Sequence, residues 1–236
     1  MRKRYFIEGC ICTLICAIIL TVIWACVDGH VLKKSNSEEN KETATEQVIF
    51  NNIPEIYYIY ENLERLQVLS EKKWEEGSFK EKYAALECVT EIEKAIYGID
   101  EPVTICFGNL KHNELARYEA TKQVIELNHR YLMLSPRDKW INAVLHEFRH
   151  HYQYNLVLAI DTMDPKYTHL KFLEPILDFK EEVLNYVSPD ENIEAYMAQE
   201  IEKDAANYAS VRTEYYLRNI EDICDANDVE EEGKEY

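Results

Sequence analysis

The chain has 236 residues, enough for one sizeable globular domain and an appendage but short for two full domains. Its composition, 47% hydrophobic and 30% charged, is that of a folding chain, and a formal net charge of −18 excludes the broad basic face that a nucleic-acid partner would require. Much of the acid falls on expected helix surfaces and in residues 225–236, so the charge names no substrate.

Arg2, Lys3 and Arg4 precede residues 9–27, a run without a single charge. That run approaches the roughly 20 residues a helix needs to cross a bilayer. The basic cluster before it predicts a cytoplasmic N-terminus and an extracytoplasmic body on a single-pass signal anchor. The alternative is a lipoprotein signal, in which Ile23-Trp-Ala-Cys26 is the cleavage site and Cys26 carries the lipid; Trp24 departs from the residue usual there. Four of the seven cysteines, Cys10, Cys12, Cys16 and Cys26, lie in this run as small apolar residues. Cys88, Cys106 and Cys224 remain, with no spacing that implies a disulfide framework or a cysteine-based zinc site. Residues 28–47, rich in Lys, Ser, Asn, Glu and Thr, are expected to be a flexible polar tether.

The body is expected over residues 48–222. Apolar residues at three- and four-residue intervals predict amphipathic helices over residues 53–76 and 79–97, punctuated by Gly77 and Gly98. Residues 103–107 (Val-Thr-Ile-Cys-Phe) predict a strand; a polar stretch, 108–120, leads to a second strand at 123–127. Ser135-Pro-Arg-Asp138 starts a helix over residues 136–160 with a cap, a first-turn proline and an acid. After Asp164-Pro165 a helix is expected over residues 167–186, irregular at Pro175, and Ser188-Pro-Asp-Glu191 starts a last one reaching Asp222. Residues 223–236 are read as an acidic tail. The result is α+β, mostly helix with a small β-sheet.

His146-Glu-Phe-Arg-His150 lies inside the helix over residues 136–160. One helical turn separates the two imidazoles, so they point the same way and can grip one Zn²⁺, while Glu147 can take a proton from zinc-activated water. The bland alternative is a solvated turn with two histidines and no metal.

Zinc needs a third protein ligand and an open position. A third histidine six residues on is excluded, because Leu156 stands there and Gln153 stands at the intervening glycine position. A carboxylate on a later helix is expected, from Glu174, Glu181, Glu182, Glu194, Glu200, Glu202 and Asp204. Ala195, Ala198, Glu202, Ala205, Ala206 and Ala209 form a stripe of small residues at helical spacing, and Glu202 is its one charge. A carboxylate on a packed face must be paired or bind metal, so Glu202 is preferred, before Glu200 on a polar face and Glu174 beside Pro175. Tyr196, Tyr208 and His151 are candidate oxyanion donors, although most of 17 tyrosines must serve packing or surface. Gln153 shares the histidine face and is a candidate for orienting a ligand, or an ordinary surface glutamine. Arg149 is expected to pair with a nearby acid.

The strings His146-Glu-Phe-Arg-His-His-Tyr-Gln153 and Glu202-Lys-Asp-Ala-Ala-Asn-Tyr-Ala209 resemble zincin-like metallopeptidases of the gluzincin type. The ImmA/IrrE-like group and related bacterial and phage-borne proteins are the nearest. In that family the His-Glu-x-x-His helix is followed by Glu-x-x-Ala-x-x-(Phe or Tyr)-Ala, whose glutamate is the last ligand. The resemblance covers residues 103–209. It implies a zincin-like domain holding one Zn²⁺ on His146, His150 and Glu202, and residues 123–127 as the edge strand above the cleft, able to hold an extended peptide; on the residues alone an ordinary core strand is the alternative. Two departures stand out: ImmA/IrrE-like proteins are usually cytoplasmic and often carry a DNA-binding module, and Ala206 replaces the Asp or Asn that supports a ligand histidine in many relatives.

The expected function is a membrane-tethered, extracytoplasmic zinc metallopeptidase acting on a peptide or protein substrate, with Glu147 as general base and no nucleic-acid partner. The alternative is a catalytically inactive binding or sensing module of the same fold.

Overall fold

The structure is a computed structural model and describes residues 54–111 and 114–232, with side chains as far as residue 227. It divides into two units. Of the smaller, residues 1–52 and 162–167, only residues 162–167 are described, with a 3₁₀ turn at Pro165–Tyr167. The expected apolar run at residues 9–27 and the tether at 28–47 lie outside the described residues, among which no helix is long and apolar enough to cross a membrane. The larger unit, residues 53–161 and 168–236, is mostly helical with one small sheet.

The first expected helix is broken into α1 (Glu55–Glu61), α2 (Leu63–Leu66), a 3₁₀ turn (Gln67–Leu69) and α3 (Glu71–Trp74). Val68, Leu69 and Ser70 are buried in succession, which one amphipathic helix cannot achieve, and Ser70 is extended at φ −68, ψ 153. The second helix, α4 (Phe79–Tyr97), keeps its expected bounds. Ser78 and Glu81 form a reciprocal capping box at its start, and Gly98 closes it in the left-handed region at φ 61.

Strands β1 (Thr104–Gly108), β2 (Ala116–Glu119) and β3 (Val124–Asn128) form a sheet of order β1-β3-β2, with β3 parallel to β1 and antiparallel to β2. This corrects the sequence reading twice. The strand expected at residues 123–127 lies in the centre, as the core-strand alternative has it and not at the edge that the resemblance implies, and β2, an edge strand, lies inside the polar stretch for which no strand was expected. The two strands differ in burial: β3 buries Ile125, Leu127 and Asn128, whereas the residues of β2 are at most half-buried.

Helix α5 (Arg137–Thr162) carries the histidine motif. A 3₁₀ turn (Lys171–Leu173) leads into α6 (Glu174–Leu184), where Pro175 begins the helix rather than interrupting it. The last expected helix is two: α7 (Ile193–Ala198) and α8 (Glu200–Glu232). They part at Gln199, extended at φ −63, ψ 134, whose side chain holds both Val187 N–H (2.9 Å) and Val187 C=O (3.1 Å). The break exposes the first amides of α8, and Glu182 of α6 accepts from Glu200 N (2.8 Å) and Ile201 N (2.7 Å). Helix α8 continues past Asp222 to Glu232, so the expected acidic tail is largely helix.

One core joins α4, α5, α8 and the sheet around Leu86, Val89, Ile125, Trp140, Phe148 and Tyr216. A smaller cluster of Val157, Phe179 and Ile201 fixes α6 against the end of α5 and the start of α8.

Candidate metal centre

Trp140, Ile141, Val144, Leu145 and Phe148 of α5 are wholly buried, which presses one face of the helix into the core. His146, Glu147 and His150 then fall on the neighbouring, half-buried face, at the wall of a cleft of ≈ 700 Å³. Helix α8 brings Glu202 to the same wall, with Ala205 and Ala209 buried beside it. The small-residue stripe is narrower than its spacing suggests, since Ala198 and Ala206 are exposed, and Ala206 supports no histidine.

Donor atoms of three residues converge. His146 Nε2 and His150 Nε2 are 3.0 Å apart, Glu202 Oε2 is 3.3 Å from His146 Nε2, and Glu202 Oε1 is 3.5 Å from His150 Nε2. A tetrahedral zinc with ligands at about 2.0–2.1 Å requires donor separations of roughly 3.3–3.4 Å. The set of two imidazoles and a carboxylate could therefore hold one metal ion, once the imidazole nitrogens part by a few tenths of an ångström. Glu202 Oε2 adds a second indication: it is buried, and His146 lies outside hydrogen-bond geometry to it, so no protein donor satisfies it.

Burial alone would push the Glu202 carboxyl up, but His146, His150 and the Tyr196 hydroxyl outweigh it and hold it well below the usual carboxylate range. For His150 burial works downward and is outweighed by Glu202, Glu147 and Gln153, so the imidazole is held above its ordinary value. Tyr196 lines the cleft, and burial, then the nearby Glu202, hold its phenol above the ordinary range. Tyr186, on the segment between α6 and α7, donates to Glu202 Oε1 at 2.8 Å. Sequence reasoning missed Tyr186, because nothing in its spacing marks one tyrosine of 17 as a partner of a carboxylate sixteen residues on.

Glu147 lies in the cleft, and its Oε2 accepts the backbone N–H of Tyr118 at 2.7 Å. Since Leu115 C=O bonds to Asn128 N of β3, the alternate residues Ala116 and Tyr118 turn their backbone groups outward, along the cleft. Gln153 is wholly buried, with its oxygen 2.8 Å from His150 Nδ1. Arg149 grips Asp204 with both arms of its guanidinium, at 2.7 and 3.0 Å.

Two sequence candidates are elsewhere. Tyr208 points into the core, where its hydroxyl bonds to the buried Glu93, so it faces no substrate. His151 is wholly buried, with Nδ1 3.0 Å from Tyr118 Oη; burial, then the Lys94 charge, push it down to about 4, and it stays neutral behind the cleft wall. Among the other carboxylates, Glu200 is exposed and paired with Lys203, Glu182 caps α8, Asp204 is held by Arg149, and Glu174, Glu181 and Glu194 are exposed.

No protein-family model, curated protein or solved structure matches this chain.

Proposed function

We propose that this chain is a zinc-dependent metallopeptidase of zincin type that binds one zinc ion on His146, His150 and Glu202. The observation that carries the reading is the convergence of those three donors at 3.0–3.5 Å, with Glu147 in the same cleft. Bound zinc would supply a Lewis acid that polarises a scissile carbonyl and makes water acidic near neutral pH. Glu147 takes the proton of the attacking water and returns it to the leaving amine. Its neighbour Tyr196 donates to the carbonyl oxygen as charge develops there. The outward backbone groups of Ala116 and Tyr118 on β2 hold the substrate in an extended conformation. The uncharged run at residues 9–27, with Arg2, Lys3 and Arg4 before it, supports a membrane tether with the body outside the cytoplasm.

A silent zinc-binding module is the second reading. The Tyr118 N–H bond favours it, because it occupies one oxygen of the proposed base.

The test is metal analysis of the full chain purified in detergent, with a peptide library read by mass spectrometry. One zinc per chain is expected. Glu147→Gln keeps the zinc and loses roughly 10²–10⁴-fold in hydrolysis, whereas Glu202→Ala loses most of the zinc. A chain without stoichiometric zinc overturns the reading, full hydrolysis by Glu147→Gln overturns the mechanism, and zinc without turnover establishes the silent module.

A further inference from the structure

Between the candidate centre and the core runs a line of polar groups whose donor direction is fixed at every step. Gln153 sits at its middle, wholly buried on α5, one turn beyond His150. Its Nε2 donates to Ile201 C=O at 2.9 Å and to Asp204 Oδ2 at 2.7 Å. Both partners are acceptors only. The amide therefore cannot be turned over, since its oxygen would then face two acceptors in a place closed to water.

With the nitrogen so committed, Gln153 Oε1 is the atom 2.8 Å from His150 Nδ1. An oxygen there requires an N–H opposite it. Nδ1 consequently carries the proton, and the bare lone pair of His150 is on Nε2, the atom facing His146 and Glu202. Asp204 in turn is fixed by the Arg149 fork, and the Arg149 guanidinium lies against the rings of Tyr97, Tyr152 and Tyr208 at 5.9, 4.7 and 4.9 Å.

We infer that Asp204, clamped by Arg149, fixes the metal-ligating tautomer of His150 through Gln153, so that all three are positioning residues of the centre. This rests on the zinc reading for its consequence, but the tautomer itself exists without metal. The arrangement fits the general finding that a ligating imidazole is oriented by the acceptor on its other nitrogen.

Two measurements on the full chain in detergent decide it. In the metal-free protein, long-range ¹⁵N–¹H spectra above the imidazole titration range should show His150 protonated on Nδ1, and Gln153→Leu should move it to the Nε2-protonated form. By competition with a chelator, Gln153→Leu and Asp204→Ala should each weaken zinc binding about 10–100-fold, although Asp204 touches no ligand. Tyr216→Phe, which removes a buried hydrogen bond to Glu93 elsewhere in the core, should lower Tm and leave zinc affinity within about twofold, separating positioning from general destabilisation.

An Nε2-protonated His150 in the wild type overturns the inference, and so does unchanged zinc affinity in both variants. If the wild type takes up no zinc, the zinc reading falls and the tautomer spectrum decides the inference alone. If Asp204→Ala does not fold, Gln153→Leu and the wild-type spectrum decide it.

Discussion

Tyr118 and Glu147 meet backbone to side chain: the N–H of the edge strand donates to the carboxylate of the histidine helix at 2.7 Å. The contact ties β2, a short and half-buried strand, to the element that carries the candidate chemistry. A hydrogen bond to a charged acceptor contributes about 1.5–3 kcal/mol net. Because this N–H points away from β3, a proline can replace it without breaking the ladder. Tyr118→Pro is expected to be less stable than Tyr118→Ala by roughly that amount, the alanine variant accounting for loss of the ring. Urea unfolding of the two metal-free variants checks it; equal stabilities would show that the contact holds nothing.

Tyr186 shares Glu202 with the two imidazoles. Burial, then the Glu202 charge, hold its phenol above the ordinary range, so it remains a donor throughout the neutral region. Removing that donor leaves Glu202 less firmly oriented toward a metal. Tyr186→Phe should weaken zinc binding by about tenfold or more, while Tm barely moves, because Tyr186 is 46% exposed. Chelator competition and thermal melting, done side by side, separate the two effects.

What was readable in the sequence follows physical range. Helices α4 and α5 were legible because their signals are local: apolar residues recur within a turn, Gly98 closes α4, and Ser135, Pro136 and Asp138 open α5. The approach of Glu202 to the histidines was legible from one local contradiction, a charge on a face of alanines. Where distant groups decide, the pattern failed. The break at Gln199 depends on Val187 and Glu182, brought from other elements, and nothing in the run of α7 and α8 records it. Strand β2 failed for a related reason: Ala-Arg-Tyr-Glu has weak strand character, and its conformation comes from β3 beside it. Gln153 could be placed on the histidine face by spacing, but its commitment to Asp204 and Ile201 required α8 in position.

Glu93 is a wholly buried carboxylate shared by Arg212, Tyr208 and Tyr216. Its ion pair with Arg212 joins α4 to α8, and removing one partner of such a pair strands the other charge. Arg212→Met should destabilise the chain by about 3–5 kcal/mol. The double variant Glu93→Leu with Arg212→Met should recover a large part of that loss, since no charge is then left uncompensated. Denaturant unfolding of the singles and the double checks it, and a double variant as unstable as the sum of the singles would contradict the account.

Cys88, wholly buried on α4, supplies a pH dependence of definite sign. Burial, only partly opposed by the Arg65 charge, pushes its thiol from the ordinary 9.0 up to about 11. The folded chain thus releases this proton later than the unfolded chain, so the group's stabilising contribution is complete below pH 9 and is lost as pH rises toward 11. Between pH 8 and pH 10 the loss amounts to about 1 kcal/mol, and it reaches about 3 kcal/mol once both states are ionised. Cys88→Ala carries a constant penalty for its lost packing but none of this slope. Unfolding free energies of wild type and variant, measured in urea across that interval, should therefore converge as pH rises, and parallel curves would mean that the thiol titrates alike in both states.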